Sequence, residues 1–152
     1  MTTQYDSTQD TLNHIAKVEG YLSLCADLLR IRGTKHDQSK LESPEKEIFD
    51  AVTPLLKTLT YGSYEYQRAL GDMHEALAHH YAHNSHHPEH YPGGVADMTL
   101  LDAIEMLCDW KAASQRGVDG DFYKSLEINR ARFGLSDQLY TILFHTAQAL
   151  GW

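Results

Sequence analysis

Cysteine is scarce in this sequence, and long apolar runs are missing altogether. The two cysteines, Cys25 and Cys108, both stand in apolar helical patterns, so we expect buried thiols and not a disulfide framework. No stretch approaches the roughly 18 to 20 apolar residues that a membrane helix requires. The first ten residues have neither the basic nor the apolar region of a signal peptide. We therefore expect a cytoplasmic protein.

Basic residues are also scarce. The chain has 13 Lys and Arg against 21 Asp and Glu, a formal net charge of -8 with neutral His. General nucleic-acid binding needs a basic face to neutralise phosphates, so this balance argues against it. A few local cations are still enough to hold a small anionic ligand. At 152 residues and 42% hydrophobic content, the chain is expected to form one globular domain over residues 1–152.

The first half of the chain predicts two long helices. The first extends from about Thr8 to Ile31, and Gly33 is expected to end it. The second has Ser43 as its cap and Pro44 at its first position, where a missing N–H costs nothing. Pro54 lies inside this second helix and is expected to kink it.

The second half of the chain adds further helices and no convincing strand. One starts near Ser63 and ends at or before His87, because Pro88 restricts the residue before it. Another begins at Thr99, where Thr99 and Asp102 have the spacing of a capping box. Two more follow, "DGDFYKSLEINRARFG" and a segment capped by Ser136. The sequence thus predicts an all-α, compact helical bundle of about six helices.

Six of the ten histidines fall within the twelve residues "HHYAHNSHHPEH", which begin at His79 and end at His90. Such a cluster is compatible with metal binding, with a pH switch, or with a polar loop that happens to be rich in His. His79 and His83 are four residues apart, so on a helix they would share one face. The positions of the other polar residues in the sequence discriminate between these three interpretations.

Carboxylates form a stripe on the helix "TLLDAIEMLCDWKAA". Asp102, Glu105 and Asp109 are spaced i, i+3 and i+7, and large apolar residues lie on both sides of them. A stripe placed in this way is not expected to face bulk water, and buried carboxylates persist when they pair with cations or bind metal. Asp109 is the predicted ligand, whereas Asp102 is explained as a helix cap.

Two further segments contain candidate ligands. His14 lies within the apolar face of the first helix, a position typical of a core histidine as well as of a ligand. His36 and Asp37 are adjacent in "KHDQSK", just after that helix. Arg32, Lys35 and Lys40 surround this pair, and a local cation cluster of this kind suits a phosphate.

The order His … His-Asp … Asp on helices resembles the HD-domain superfamily of metal-dependent phosphohydrolases. The middle of the chain also resembles the HD-GYP branch, since His79-His80 precedes Tyr91-Pro92-Gly93-Gly94 and the helix of Asp109. It differs from that branch at "HNSHHPEH", so the cyclic-dinucleotide substrate of the branch is not carried over. The segments "HD.SKL..PE", "HHY..N.HHPEH" and "DMTLLD.IEMLCDWKAA" are most similar to a small HD-like family of phage and bacterial proteins.

The resemblance implies a site that holds one or two divalent metal ions. The implied first set is His14, His36, Asp37 and Asp109, and the second includes His80 with His86 or His87; His79 and His83 are alternatives. Imidazole and carboxylate donors suit Mn, Fe, Co, Ni, Zn or Mg without distinguishing them. Asn84 and Glu89 are candidates for orienting the imidazoles.

The implied activity is hydrolysis of a small phosphorylated molecule, and the implied substrate class is a nucleotide. In this hypothesis Asp37 positions the attacking water, and Arg32, Lys35 and Lys40 hold phosphate oxygens, with Lys40 also offsetting transition-state charge. Glu45, or Glu42, acts as general acid or base. The alternatives are an HD-type di-iron oxygenase and a non-catalytic metal- or nucleotide-binding protein. A homo-oligomer is compatible with each of them.

Overall fold

The structure is a computed structural model that describes residues 5–56, 58, 59, 63–116 and 120–152. These residues form seven α-helices and no strand, which confirms the all-α prediction. The helices are α1 Thr8–Lys35, α2 Glu45–Leu56, α3 Tyr64–Gly71, α4 His74–His83, α5 Leu100–Ser114, α6 Phe122–Phe133 and α7 Asp137–Ala149. Short 3-10 turns cover Gln38–Leu41, Pro88–His90 and Gly94–Asp97. None of the described helices combines the length and the apolar character that crossing a membrane requires.

The chain divides into two compact units, residues 1–36 and residues 37–152. The first unit consists essentially of α1, a helix of 28 residues in which no residue is buried. The prediction that Gly33 ends this helix is wrong, because α1 continues to Lys35. A glycine inside an exposed helix costs only about 1 kcal/mol and does not by itself end it. The arrangement of residues 1–152 as a single domain stays a prediction.

The second unit begins with a segment that leads into α2. This helix starts at Glu45, one residue later than predicted, and it contains Pro54; the kink expected there stays a prediction. The single helix predicted from Ser63 into the histidine cluster is two helices, since α3 ends at Gly71 and α4 begins at His74. Glycine has low helix propensity, and the break lets Met73 become almost fully buried.

An apolar core of the second unit is built from α5, α6 and α7. It contains Met106, Leu107, Trp110, Phe122, Leu126, Leu135, Leu143 and Ala147. The predicted caps are confirmed: Thr99 and Asp102 form a reciprocal capping box, and the Ser136 hydroxyl accepts a hydrogen bond from the Leu139 amide. The prediction of buried thiols is wrong, because Cys25 and Cys108 are both exposed.

Candidate metal centre

The backbone around Asp37 turns this side chain toward α4. Asp37 has a φ of 57° and a ψ of 15°, the left-handed conformation, which a short polar side chain tolerates better than most others. The 3-10 turn Gln38–Leu41 follows directly and leads to α2. The loop after α4 returns His86 and His87 to the same place, because it leaves helical geometry at Asn84. Segments distant in sequence therefore meet within the second unit.

Four side chains converge on one point: Asp37, His80, His86 and His87. One donor atom from each lies within 4.8 Å of all the others. Asp37 Oδ1 is 3.3 Å from His80 Nε2 and 3.5 Å from His86 Nε2. His80 Nε2 is 2.9 Å from His87 Nε2. His80 and His86 are almost completely buried.

These spacings fit the donor set of a transition metal. Bonds of about 2.0–2.2 Å to imidazole and carboxylate place neighbouring donors roughly 2.8–3.6 Å apart in octahedral or tetrahedral geometry. The three separations given above, 2.9, 3.3 and 3.5 Å, lie in this interval. Three imidazoles and one carboxylate are moreover the ligand types of first-row divalent metals.

Glu45 lies behind His80 and fixes its orientation. This glutamate is fully buried, and its Oε2 is 2.9 Å from His80 Nδ1 while its Oε1 is 2.7 Å from His79 Nδ1. Burial acts to raise the pKa of Glu45, but hydrogen bonds from His79 and Ser39 and the charge of His80 outweigh it, so the pKa is lowered. An ionised Glu45 accepts a hydrogen bond from a protonated Nδ1, so that in the neutral form of His80 the lone pair is on Nε2, toward the cluster.

Glu105 has the same relation to His86. Its Oε1 is 3.2 Å from His86 Nδ1, so His86 also presents Nε2 to the cluster. Burial, followed by the nearby His86 and His80, lowers the pKa of His87 to about 3. His87 is therefore a neutral imidazole at physiological pH, the form that has a nitrogen lone pair to offer.

Smaller polar groups complete the surroundings of the cluster. Lys40 Nζ is 2.6 Å from Asp37 Oδ2, the carboxylate oxygen that does not face His80. Asn84 Nδ2 donates to Ser39 Oγ at 2.8 Å and to the His80 carbonyl at 2.8 Å. Asn84 thus lies beside His80, and its orienting role stays a prediction, whereas Glu89 pairs with Arg132 at 2.8 Å.

Two carboxylates of the α5 stripe, Asp102 and Asp109, have different surroundings. Asp102 is buried and accepts hydrogen bonds from the Thr99 amide and hydroxyl, Ser85 Oγ and Tyr91 OH. Although burial acts in the opposite direction, these bonds lower the pKa of Asp102. Asp109 is half-buried, and one of its carboxylate oxygens lies within 4.8 Å of an Asp37 oxygen.

A cavity of about 790 Å³ adjoins the cluster, between α5 and α6. His87 and Asp109 line it on the cluster side, and Tyr81, Trp110 and Phe133 provide aromatic surface. The rings of Trp110 and Phe133 are stacked, 5.8 Å apart and 2° from parallel. Its cationic groups are Lys124 and Arg132, which α6 presents with Ile128 on one face.

The predicted site residues are distributed over both units. Asp37, Lys40, Glu45, His80, His86, His87 and Asp109 belong to the second unit and lie in or beside the cluster. His14, Arg32, Lys35 and His36 belong to the first unit: His14 and Lys35 are exposed, and Arg32 and His36 are half-buried. The assignment of these four as ligands or phosphate contacts stays a prediction.

Three features of the site go beyond the sequence prediction. The spacing of Glu105 indicates the carboxylate stripe but no histidine partner, and no pattern indicates the contacts of Ser39 with His80 and Asn84. Lys124 and Arg132 are eight residues apart, which is a spacing that would have put them on one helical face. By contrast, the sequence does not indicate which carboxylate pairs with which imidazole, because the paired residues are 19 to 35 positions apart in the chain.

The fold and this site define an all-α protein with a candidate cation centre of three histidines and one aspartate. Residues 3–149 match the family of unknown function DUF5662, so the chain belongs to that family. No curated protein and no solved structure matches the chain.

Proposed function

We propose that this chain is a metal-dependent phosphohydrolase that acts on a small phosphorylated molecule. The observation that supports the proposal most is the convergence of Asp37, His80, His86 and His87 at ligand spacing, with Glu45 and Glu105 behind two of the imidazoles. Carboxylates in this position raise ligand basicity and hold the rings in place. The resemblance to the HD-domain superfamily supports the same proposal, since Asp37 and Asp109 occupy its motif positions.

The four residues have the roles that such a site needs. A divalent cation bound there would lower the pKa of water and polarise a phosphoryl oxygen. Asp37 contributes the only carboxylate of the four and is held by Lys40 through its other oxygen. Glu45 is fully buried with both oxygens engaged, so we assign it to positioning His79 and His80 instead of to general acid or base catalysis.

The cavity beside the cluster suits a substrate that combines an anion with a flat apolar group. Lys124 and Arg132 supply positive charge on one wall, although Asp121 also lines the cavity and Arg132 pairs with Glu89; Tyr81, Trp110 and Phe133 supply aromatic surface. Aromatic side chains stack on planar rings, and Lys and Arg bind phosphate oxygens. A nucleotide has both features, and we propose it as the substrate class.

Metal analysis of the purified chain, followed by cobalt titration, tests the centre. We expect His86→Ala to abolish stoichiometric binding and His83→Ala to retain it, because His83 is exposed and contacts the His79 carbonyl instead of the cluster. Equal binding by both variants and the unmodified chain would disprove the centre. Circular dichroism establishes that both variants remain helical.

Turnover is tested with a nucleotide panel in the presence of Mn, Co, Mg and Fe. We expect release of inorganic phosphate. Asp37→Asn should abolish this release, and Lys124→Ala should raise the KM. Lys17→Ala, on α1, should have no effect. Metal binding without any turnover would identify a non-catalytic binding protein. Oxygen-dependent turnover of the iron-loaded sample, with a new absorption band on exposure to air, would identify an oxygenase.

A further inference from the structure

One face of α1 carries large apolar side chains that are exposed. The exposed fraction is 54% for Ile15, 40% for Val18, 69% for Tyr21 and 65% for Leu22. Soluble proteins rarely leave a contiguous patch of large apolar side chains in water unless it is an interaction surface. We therefore expect another apolar surface to pack against this face.

The spacing along this face is that of a helix that packs against another helix. Ile15, Leu22 and Leu29 are seven residues apart, and Val18 and Cys25 fall three residues after the first two. This is the a and d pattern of a coiled coil, in which the seam follows a repeat of 3.5 residues. Leu12, Leu24 and Ile31 lie outside the seam.

The available area is sufficient for a specific pair of helices. A large apolar side chain exposes about 150–200 Å² when it is free, so the exposed parts of Ile15, Val18, Tyr21, Leu22 and Leu28 amount to roughly 500 Å² per helix. Two such faces together bury about 1,000 Å², which is the size at which an interface becomes specific. Two copies of α1 are therefore enough to cover each other.

The charge distribution along α1 favours a second copy of α1 as the partner, in antiparallel orientation. The N-terminal part of the helix region has Asp6, Asp10, Lys17 and Glu19, a net charge of -2, and the C-terminal part has Asp27, Arg30, Arg32 and Lys35, a net charge of +2. An antiparallel copy places each acidic half beside a basic half, and it also opposes the two helix dipoles. A parallel copy would place like charges together along the whole length.

We propose that α1 pairs with α1 of a second copy of this chain, in antiparallel orientation about a two-fold axis. The interface is isologous, so each contact occurs twice. In antiparallel coiled coils an a residue faces a d residue, which places Ile15 opposite Cys25 of the second copy and Val18 opposite Leu22. This pairing is independent of the metal centre and of the proposed activity.

Sedimentation equilibrium of the full chain between 1 and 100 µM tests the pairing. We expect twice the chain mass of 17.2 kDa. Leu22→Asp should shift the chain to monomer, while Ala16→Asp, the same type of change on the opposite side of α1, should leave it dimeric. A monomer at every concentration would overturn the proposal, and so would a Leu22→Asp variant that stays dimeric. Circular dichroism on each variant separates loss of pairing from loss of helix.

Disulfide trapping tests the direction in a Cys108→Ser background. We expect Ile15→Cys to form a covalent dimer with Cys25 of the second copy on mild oxidation, and Ala16→Cys to remain mainly uncrosslinked. A Cys25 to Cys25 dimer that forms without the Ile15→Cys change would show a parallel pair and would overturn the antiparallel assignment. A dimer by sedimentation that neither cysteine pair traps would place the interface elsewhere on the chain.

Discussion

Replacing Glu45 with Gln should weaken metal binding without changing any residue that touches the metal. The carboxylate accepts a hydrogen bond from His79 at one oxygen and from His80 at the other. Glutamine keeps the volume of the side chain, but it offers a single acceptor oxygen, and its NH2 group would face an imidazole N–H. One imidazole must then change tautomer or rotate.

The magnitude follows from the burial of this contact. Glu45 is fully buried and His80 almost so, so water cannot replace the lost acceptor. A hydrogen bond to a charged group contributes about 1.5–3 kcal/mol, which corresponds to roughly a 10- to 100-fold loss of metal affinity. A change of this size is expected if His80 loses the orientation that Glu45 imposes.

Competition against a chromogenic chelator, with cobalt or zinc, measures this affinity. Glu47→Gln is the matched control, because Glu47 is exposed on the same helix and the change removes the same charge. We expect the Glu47 variant to bind as tightly as the unmodified chain. Equal affinity in all three proteins, or an equal loss in both variants, would refute the orienting role of Glu45.

Three further predictions concern stability, and chemical denaturation measures each of them. Asp102→Asn should cost about 2–3 kcal/mol at pH 7, since it removes a buried acceptor. Because the pKa of Asp102 is lower in the folded state, its contribution is complete above about pH 4 and is lost as the pH falls through the folded pKa. The unmodified chain should therefore lose more stability on acidification than the variant, and parallel pH profiles would contradict this. Leu126→Ala should cost about 2–5 kcal/mol, because Leu126 is fully buried, whereas Ile142→Ala at a half-exposed position should cost clearly less; equal losses would exclude Leu126 from the core. Gly134→Ala should cost about 1–2 kcal/mol from backbone strain alone, as Gly134 has a φ of 62° and free space for a Cβ; an unchanged stability would contradict this.

Local signals in the sequence were enough to predict most of the helices. The capping box at Thr99 and the N-cap at Ser136 are confirmed because a cap depends on residues three apart, which adjacent sequence shows directly. The break between α3 and α4 was missed, since an isolated glycine is compatible both with a helix and with its end. The exposed cysteines were missed for a related reason: an apolar helical pattern says which residues share a face, but not whether another element covers it.

The candidate site shows the same division. The sequence by itself determined which residues are candidate ligands. The three histidines and Asp37 of the cluster were all among the predicted ligands, because few residue types bind metal and histidine occurs here at unusual density. Only the tertiary structure decided that Glu45 and Glu105 support His80 and His86, and that Lys124 and Arg132 line the adjoining cavity. These roles depend on distances between helices, and a distance between helices is set by the packing of the whole unit, which no local spacing encodes.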